Sequence, residues 1–230
     1  MKEGPMKAVI FDLDGTLADT ALDLMLAGNA TFKEIGLEYE LEKNRDEGIA
    51  SGGGKSTIRH GLKQALGEVK EERVQELYPT FLRNYEKVIA VNSRLYDGML
   101  ECLQNLLELD FLLGVCTNKP TKQACILLDI LGVTNYFEAI VGPDTFGEAK
   151  PKPRSLHGVI EMIGVETKCS ILVGDTKTDF LTSEAAGVPF VLTTYGHGVQ
   201  YQDFDSSCTP YLAARPKDIP ALATKILKKC

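Results

Sequence analysis

The sequence predicts an α/β protein: a Rossmann-like, doubly wound parallel sheet core with a small α-helical domain inserted near its start. Three observations point there. Five short runs, "KAVIFDLDG", "FLLGVCTN", "FEAIVGPD", "CSILVGDT" and "PFVLTTYG", are apolar on nearly every residue, as strands buried on both faces are. Segments with apolar residues at helical spacing follow most of them, the alternation of a parallel sheet. About a hundred residues separate the first run from the second, far more than a crossover requires.

Taken in order, the first run ends in two aspartates and a glycine, where the chain turns away. The insert is expected to be helical over 18–36, 55–66 and 70–90, with Pro79 kinking or dividing the last helix. It is entered near Leu17 and left between Asn92 and Tyr96, so the domains are drawn as 1–17 with 93–230 for the sheet and 18–92 for the insert. Helices are then expected at 97–109, 120–131, 153–163, 178–186 and 217–228, one after each remaining strand or just before it.

Composition bounds the function. The 230 residues are 44% apolar and 25% charged, which excludes disorder. A net charge of -7 argues against nucleic acid or an acidic membrane surface as the main partner, because a polyanion needs a basic face; local clusters can still bind a small anion, and a small-molecule partner is expected. The six cysteines show no paired spacing and several lie in apolar runs, which suggests a reducing, cytoplasmic setting. No apolar stretch reaches membrane-spanning length, and an aspartate interrupts the first run before a signal-peptide core forms. A monomer or weak homodimer is expected.

The chemistry gathers at strand ends. In "VIFDLDGTLAD", Asp12 and Asp14 stand two apart at the end of a strand, and the carboxyl edge of a parallel sheet is where such folds bind ligands. Two acids this close repel, and a cation on one with a proton on the other resolves the conflict. Helix capping is the plainer reading of the segment alone. "LVGDTKTD" adds Asp175 and Asp179 at another strand end, and hard oxygen ligands of this kind describe a Mg²⁺ site that also receives a phosphate. Thr117, Asn118 and Lys150 supply a hydroxyl, amides and an ammonium, the donors that a phosphoryl group requires.

In this order and spacing, "DLDGTLAD", the Thr117 strand end, Lys150 in "KPKP" and "GDTKTD" resemble the four motifs of the haloacid dehalogenase superfamily. The resemblance covers nearly the whole chain and is closest to the phosphoglycolate phosphatase-like subgroup. It implies a helical cap domain closing over a small phosphorylated metabolite, with Mg²⁺ required. It further implies that Asp12 is the nucleophile and that Asp14 protonates the leaving group and then activates water. Asp12, Asp175 and the backbone carbonyl of Asp14 would ligate the metal, with Asp179 in support, while Thr117, Asn118 and Lys150 hold the phosphate. On this reading the metal and Lys150 lower the pKa of Asp12, and Asp14 has no cation beside it. An acid at position 14 favours phosphoryl transfer over dehalogenation, since a halide leaves unprotonated.

"ASGGGKSTIRHGL" invites comparison with a phosphate-binding P-loop, but that motif needs glycine at position 49, which is Ile49, and "EYELEKNRDEGIA" before it is too charged for a buried strand. By the resemblance the stretch is a cap loop. Gly53, Gly54 and Lys55 either read a second anionic group on the substrate or form a hinge with Lys55 in solvent. Arg59 and His60 sit a turn further on, more in keeping with an exposed helix surface; His157 is expected on a core helix, and His197 has no evident partner. Two other functions stay open: a phosphonate-cleaving enzyme with Lys55 as a Schiff-base lysine, and a non-catalytic binding module.

Overall fold

The structure is a computed structural model, and it describes residues 5–50, 52–196, 211–228 and 230. The chain divides into two units, Met1–Leu17 with Leu95–Cys230 and Ala18–Arg94.

The first unit is built on a six-stranded parallel sheet. Its strands are β1 (Lys7–Phe11), β4 (Phe111–Cys116), β5 (Ala139–Val141), β6 (Ser170–Gly174), β7 (Phe190–Thr193) and β8 (Tyr211–Ala213). Two further short strands, β2 (Ala18–Asp19) and β3 (Arg94–Leu95), pair separately. The sheet order β5-β4-β1-β6-β7-β8 runs outward from β1 in one direction and then in the other. The direction reverses between β1 and β6, which makes a crevice at their carboxyl ends. Phe11 lies opposite both Val115 and Val173, so the residues just beyond these three strands leave the sheet at one edge.

The core follows from the apolar runs. Ile10, Val141, Leu156, Val159, Leu172 and Leu192 are buried together between the sheet and its helices. Those helices are α5 (Met99–Glu108), α6 (Thr121–Ile130), α7 (Pro143–Phe146), α8 (Arg154–Ile163), α9 (Lys177–Ala186) and α10 (Ile219–Ile226). Gly114 in β4 is required by this packing, because a Cβ there would stand 2.6 Å from Val159 of α8. His157 lies on α8 as expected, its Nε2 3.2 Å from the carbonyl of Ala186. Edge strand β8, only three residues long and largely exposed, has no apolar run to announce it. His197 and Cys208 lie outside the described residues.

The second unit is helical: α1 (Ala21–Glu34), α2 (Lys43–Ala50), α3 (Gly54–Leu66) and α4 (Glu71–Val88). Leu24, Phe32, Ile58, Leu62, Val74, Phe81 and Tyr85 form its core. Helix α4 runs through Pro79 as one element. Helix α2 was not expected, since "KNRDEGIA" has almost no apolar face; buried Asp46 holds it by accepting from the Glu42 amide at 2.9 Å and from Arg45 Nε at 3.0 Å. Asp23 is fully buried and ties the start of this unit to its end, accepting from the amides of Asn92 at 3.0 Å and Ser93 at 2.8 Å and from the Ser93 hydroxyl at 2.6 Å. Among the described residues no helix is long and apolar enough to cross a membrane.

Candidate active site

At the carboxyl edge of β1 the chain turns sharply. The Asp12 amide still donates to the Val173 carbonyl at 2.9 Å, which continues the ladder for one more residue. Gly15 then takes φ +84°, and a Cβ there would stand 2.3 Å from Asp175 Oδ2. Only glycine meets both conditions. Gly174 has a similar role at the end of β6, where a Cβ would fall 2.5 Å from the Asp179 side chain.

These close approaches let three carboxylates converge. Asp12, Asp175 and Asp179 each offer a buried oxygen, and the three oxygens lie within 4.8 Å of one another. Lys150 answers them with its ammonium 2.8 Å from Asp12 Oδ1 and 2.5 Å from Asp179 Oδ1. Asp179 is itself fixed as the first-turn acid of α9, its Oδ2 accepting from the Thr176 hydroxyl at 2.6 Å and the Thr176 amide at 3.1 Å. Thr16 donates to Asp175 Oδ1 at 3.0 Å, and Tyr195 holds Thr16 in turn through a 3.0 Å bond to its carbonyl. Asp175 Oδ2 is buried with no hydrogen-bond partner among the described residues.

Electrostatics shows what the cluster lacks. Burial pushes the Asp12 carboxyl up to about 6, with Lys150 pulling down and Asp179 and Asp14 pushing up. Burial, reinforced by Asp179 and Asp12, holds Asp175 well above the ordinary carboxylate range. For Lys150, burial opposes the charge but Asp12 and Asp179 outweigh it, and its pKa is raised. Lys150 acts on Asp12 in the expected, lowering direction, against a stronger desolvation. One ammonium cannot neutralise three buried carboxylates, and a hard divalent cation beside the unpartnered Asp175 oxygen would supply the missing charge. The donor set fits such an ion.

The other predicted residues lie at the ends of β1 and β4, the strand that pairs with β1. Thr117 follows β4, its amide donating to the Val141 carbonyl at 3.0 Å. Asn118 uses its side chain on Lys150, accepting from the Lys150 amide at 2.8 Å and donating to its carbonyl at 3.1 Å. Asp14 meets a second buried lysine. Its Oδ1 lies 3.0 Å from the ammonium of Lys119, with both side chains buried. The expectation that no cation stands beside Asp14 is corrected by this pair. Sequence reasoning passed over Lys119, although "TNK" places it two residues beyond a predicted site residue.

The loop residues of the helical unit have local reasons for their identity. Gly53 adopts φ +83° as it caps α3, and a Cβ on Gly54 would stand 2.4 Å from the Phe81 ring. Lys55 is exposed, with its ammonium 4.9 Å from the centre of the Tyr78 ring. Arg59 pairs with Glu71 and His60 with Asp46, so both are committed within this unit.

Comparison with known proteins agrees with this geometry. Residues 9–193 match the haloacid dehalogenase-like hydrolase family. A phosphoglycolate phosphatase of Aquifex aeolicus is 35% identical over 217 residues, covering 94% of this chain and 96% of its own length. A phosphoglycolate phosphatase of Agrobacterium fabrum is 37% identical over 188 residues, 82% of this chain and 80% of that protein. The crystal structure of a predicted phosphoglycolate phosphatase from Haemophilus somnus superposes with a TM-score of 0.81 at 26% identity, covering 96% of this chain and 99% of the other. The chain belongs to the haloacid dehalogenase-like hydrolase family.

Proposed function

We propose that the protein is a Mg²⁺-dependent phosphatase that hydrolyses small phosphate monoesters, phosphoglycolate or a close analogue among them, through an aspartyl-phosphate intermediate. The observation that carries the reading is the cluster of Asp12, Asp175 and Asp179 around Lys150 at the crevice between β1 and β6. The names of the relatives support the choice of substrate.

Asp12 attacks phosphorus, the bond to the ester oxygen breaks, and the departing alkoxide takes a proton from the Asp14 carboxyl. Asp14 then accepts a proton from water as that water attacks the aspartyl phosphate, which releases inorganic phosphate and restores the Asp12 carboxylate. Lys150, Thr117 and the Asn118 amide hold the phosphoryl oxygens, so the rate gain comes from positioning and charge neutralisation. Asp12 and Asp175, with the Asp14 carbonyl and support from Asp179, would hold the Mg²⁺, which when bound neutralises charge on the phosphoryl group.

The helical unit is proposed to choose the ester, with Gly53, Gly54 and Lys55 as its reading loop. A phosphonate-cleaving reaction through Lys55 has less support, because a Schiff-base lysine is a desolvated one and Lys55 is exposed. The test is hydrolysis of p-nitrophenyl phosphate. It should require Mg²⁺, stop on chelation and vanish in Asp12→Asn; activity that survives that substitution rejects the mechanism.

A further inference from the structure

We propose that Lys119 is the positioning residue for Asp14, its ammonium fixing the carboxyl that serves first the leaving group and then the attacking water. This rests on the aspartyl-phosphate reading above. The central observation is the 3.0 Å pair between Lys119 Nζ and Asp14 Oδ1, with side chains 3% and 9% exposed. Taking an ammonium out of water is costly unless a partner meets it with good geometry.

Lys119 is held by its backbone as well. Its amide donates to Thr117 Oγ1 at 3.1 Å. Its carbonyl packs so closely on Gly142 that a Cβ there would stand 2.6 Å away. Pro120 follows immediately and caps the start of α6. The lysine therefore leaves a fixed loop, the same one that carries Thr117 and Asn118, and its reach to Asp14 is set by the sheet order that places β4 beside β1.

Each acid of the first strand end meets a buried lysine. Lys150 takes Asp12 and Asp179, and Lys119 takes Asp14. Lys119 thus brings a buried cation from the Thr117 loop to the proton-transfer group.

An acid matters in proportion to how poorly its leaving group departs, so an alkoxide depends on it and p-nitrophenolate hardly does. The experiment compares kcat/KM, which reports the steps up to the first phosphoryl transfer, for p-nitrophenyl phosphate, ethyl phosphate and phosphoglycolate. Lys119→Met should lower both alkyl esters about 100-fold and the aryl ester less than about 10-fold. Asp14→Asn should show the same pattern more deeply, and Lys119→Arg should recover much of the alkyl-ester activity. Thermal unfolding of each variant checks the fold; if Lys119→Met does not fold, Lys119→Gln carries the comparison. Equal losses on all three esters overturn the proposal, as does a loss confined to phosphoglycolate, which would make Lys119 a reader of the substrate carboxylate. If Asp14→Asn shows no leaving-group selectivity, the role of Asp14 fails and this proposal falls with it. Selectivity in Asp14→Asn without it in Lys119→Met rejects the proposal alone.

Discussion

Asn118 holds Lys150 by the backbone on both sides, its amide oxygen accepting from the Lys150 N–H at 2.8 Å and its amide nitrogen donating to the Lys150 carbonyl at 3.1 Å. The ammonium that pairs with Asp12 and Asp179 therefore starts from a backbone fixed by the neighbouring strand-end loop. Asn118→Ala removes both bonds and should cost about 1–3 kcal/mol of stability. The misplaced lysine should lower kcat by about 10- to 100-fold. Chemical unfolding and steady-state kinetics measure the two effects separately, and a variant with wild-type kcat would remove Asn118 from the support of Lys150.

Gly15 makes a second, harder prediction. Alanine there must hold φ +84° and place a methyl group 2.3 Å from Asp175 Oδ2. The backbone strain alone is worth about 1–3 kcal/mol. Displacement of Asp175 should also weaken divalent-ion binding. Isothermal titration of Mg²⁺ into Gly15→Ala should show at least about a tenfold loss of affinity against wild type, the scale on which disturbed ligand support acts.

The "SGGG" loop separates a structural role from a substrate role. Gly54→Ala would drive a methyl group into the Phe81 ring, and overpacking of this kind costs about 1–3 kcal/mol. Lys55→Ala should leave stability within about 0.5 kcal/mol, as an exposed substitution does. On the proposed reading it raises KM for phosphoglycolate and spares p-nitrophenyl phosphate. Equal kinetics on both esters would leave Lys55 as a surface residue packed over Tyr78.

Asp46 predicts a pH dependence in the helical unit. Burial raises its pKa, but the Arg45 hydrogen bond, the Glu42 amide and His60 together outweigh that, and the folded-state value lies below the ordinary one. A carboxyl depressed on folding adds stability that is present above its unfolded pKa, about 3.9, and is lost as the pH falls through the folded value. Asp46→Asn should therefore destabilise the protein at pH 7, and its urea midpoint should converge on that of wild type as the pH falls below about 4. A difference that stays constant across that range would assign the effect to packing.

Much of the fold was legible because buried parallel strands are apolar on nearly every residue, and β1, β4 and β6 carry their runs openly. The acids were legible because they end those runs at Asp12 and Asp175. What stayed hidden depends on distance through the fold. The Lys119–Asp14 pair joins residues from two strand ends, and nothing local to "TNK" marks its lysine as buried. Helix α2 is held by Asp46 and not by an apolar face, and β8 is three residues at a sheet edge. The desolvation of Asp12 was hidden because the sequence shows its neighbouring charges more readily than the depth at which it lies.

The central claim is that phosphorus passes through Asp12. Acid quenching during turnover of radiolabelled phosphoglycolate, followed by borohydride reduction, converts an aspartyl phosphate to homoserine at the labelled position. Peptide mapping should then find label on the quenched enzyme and homoserine in place of Asp12, with neither formed in Asp12→Asn. Full-rate hydrolysis with no labelled enzyme, or label on any other residue, would contradict the account.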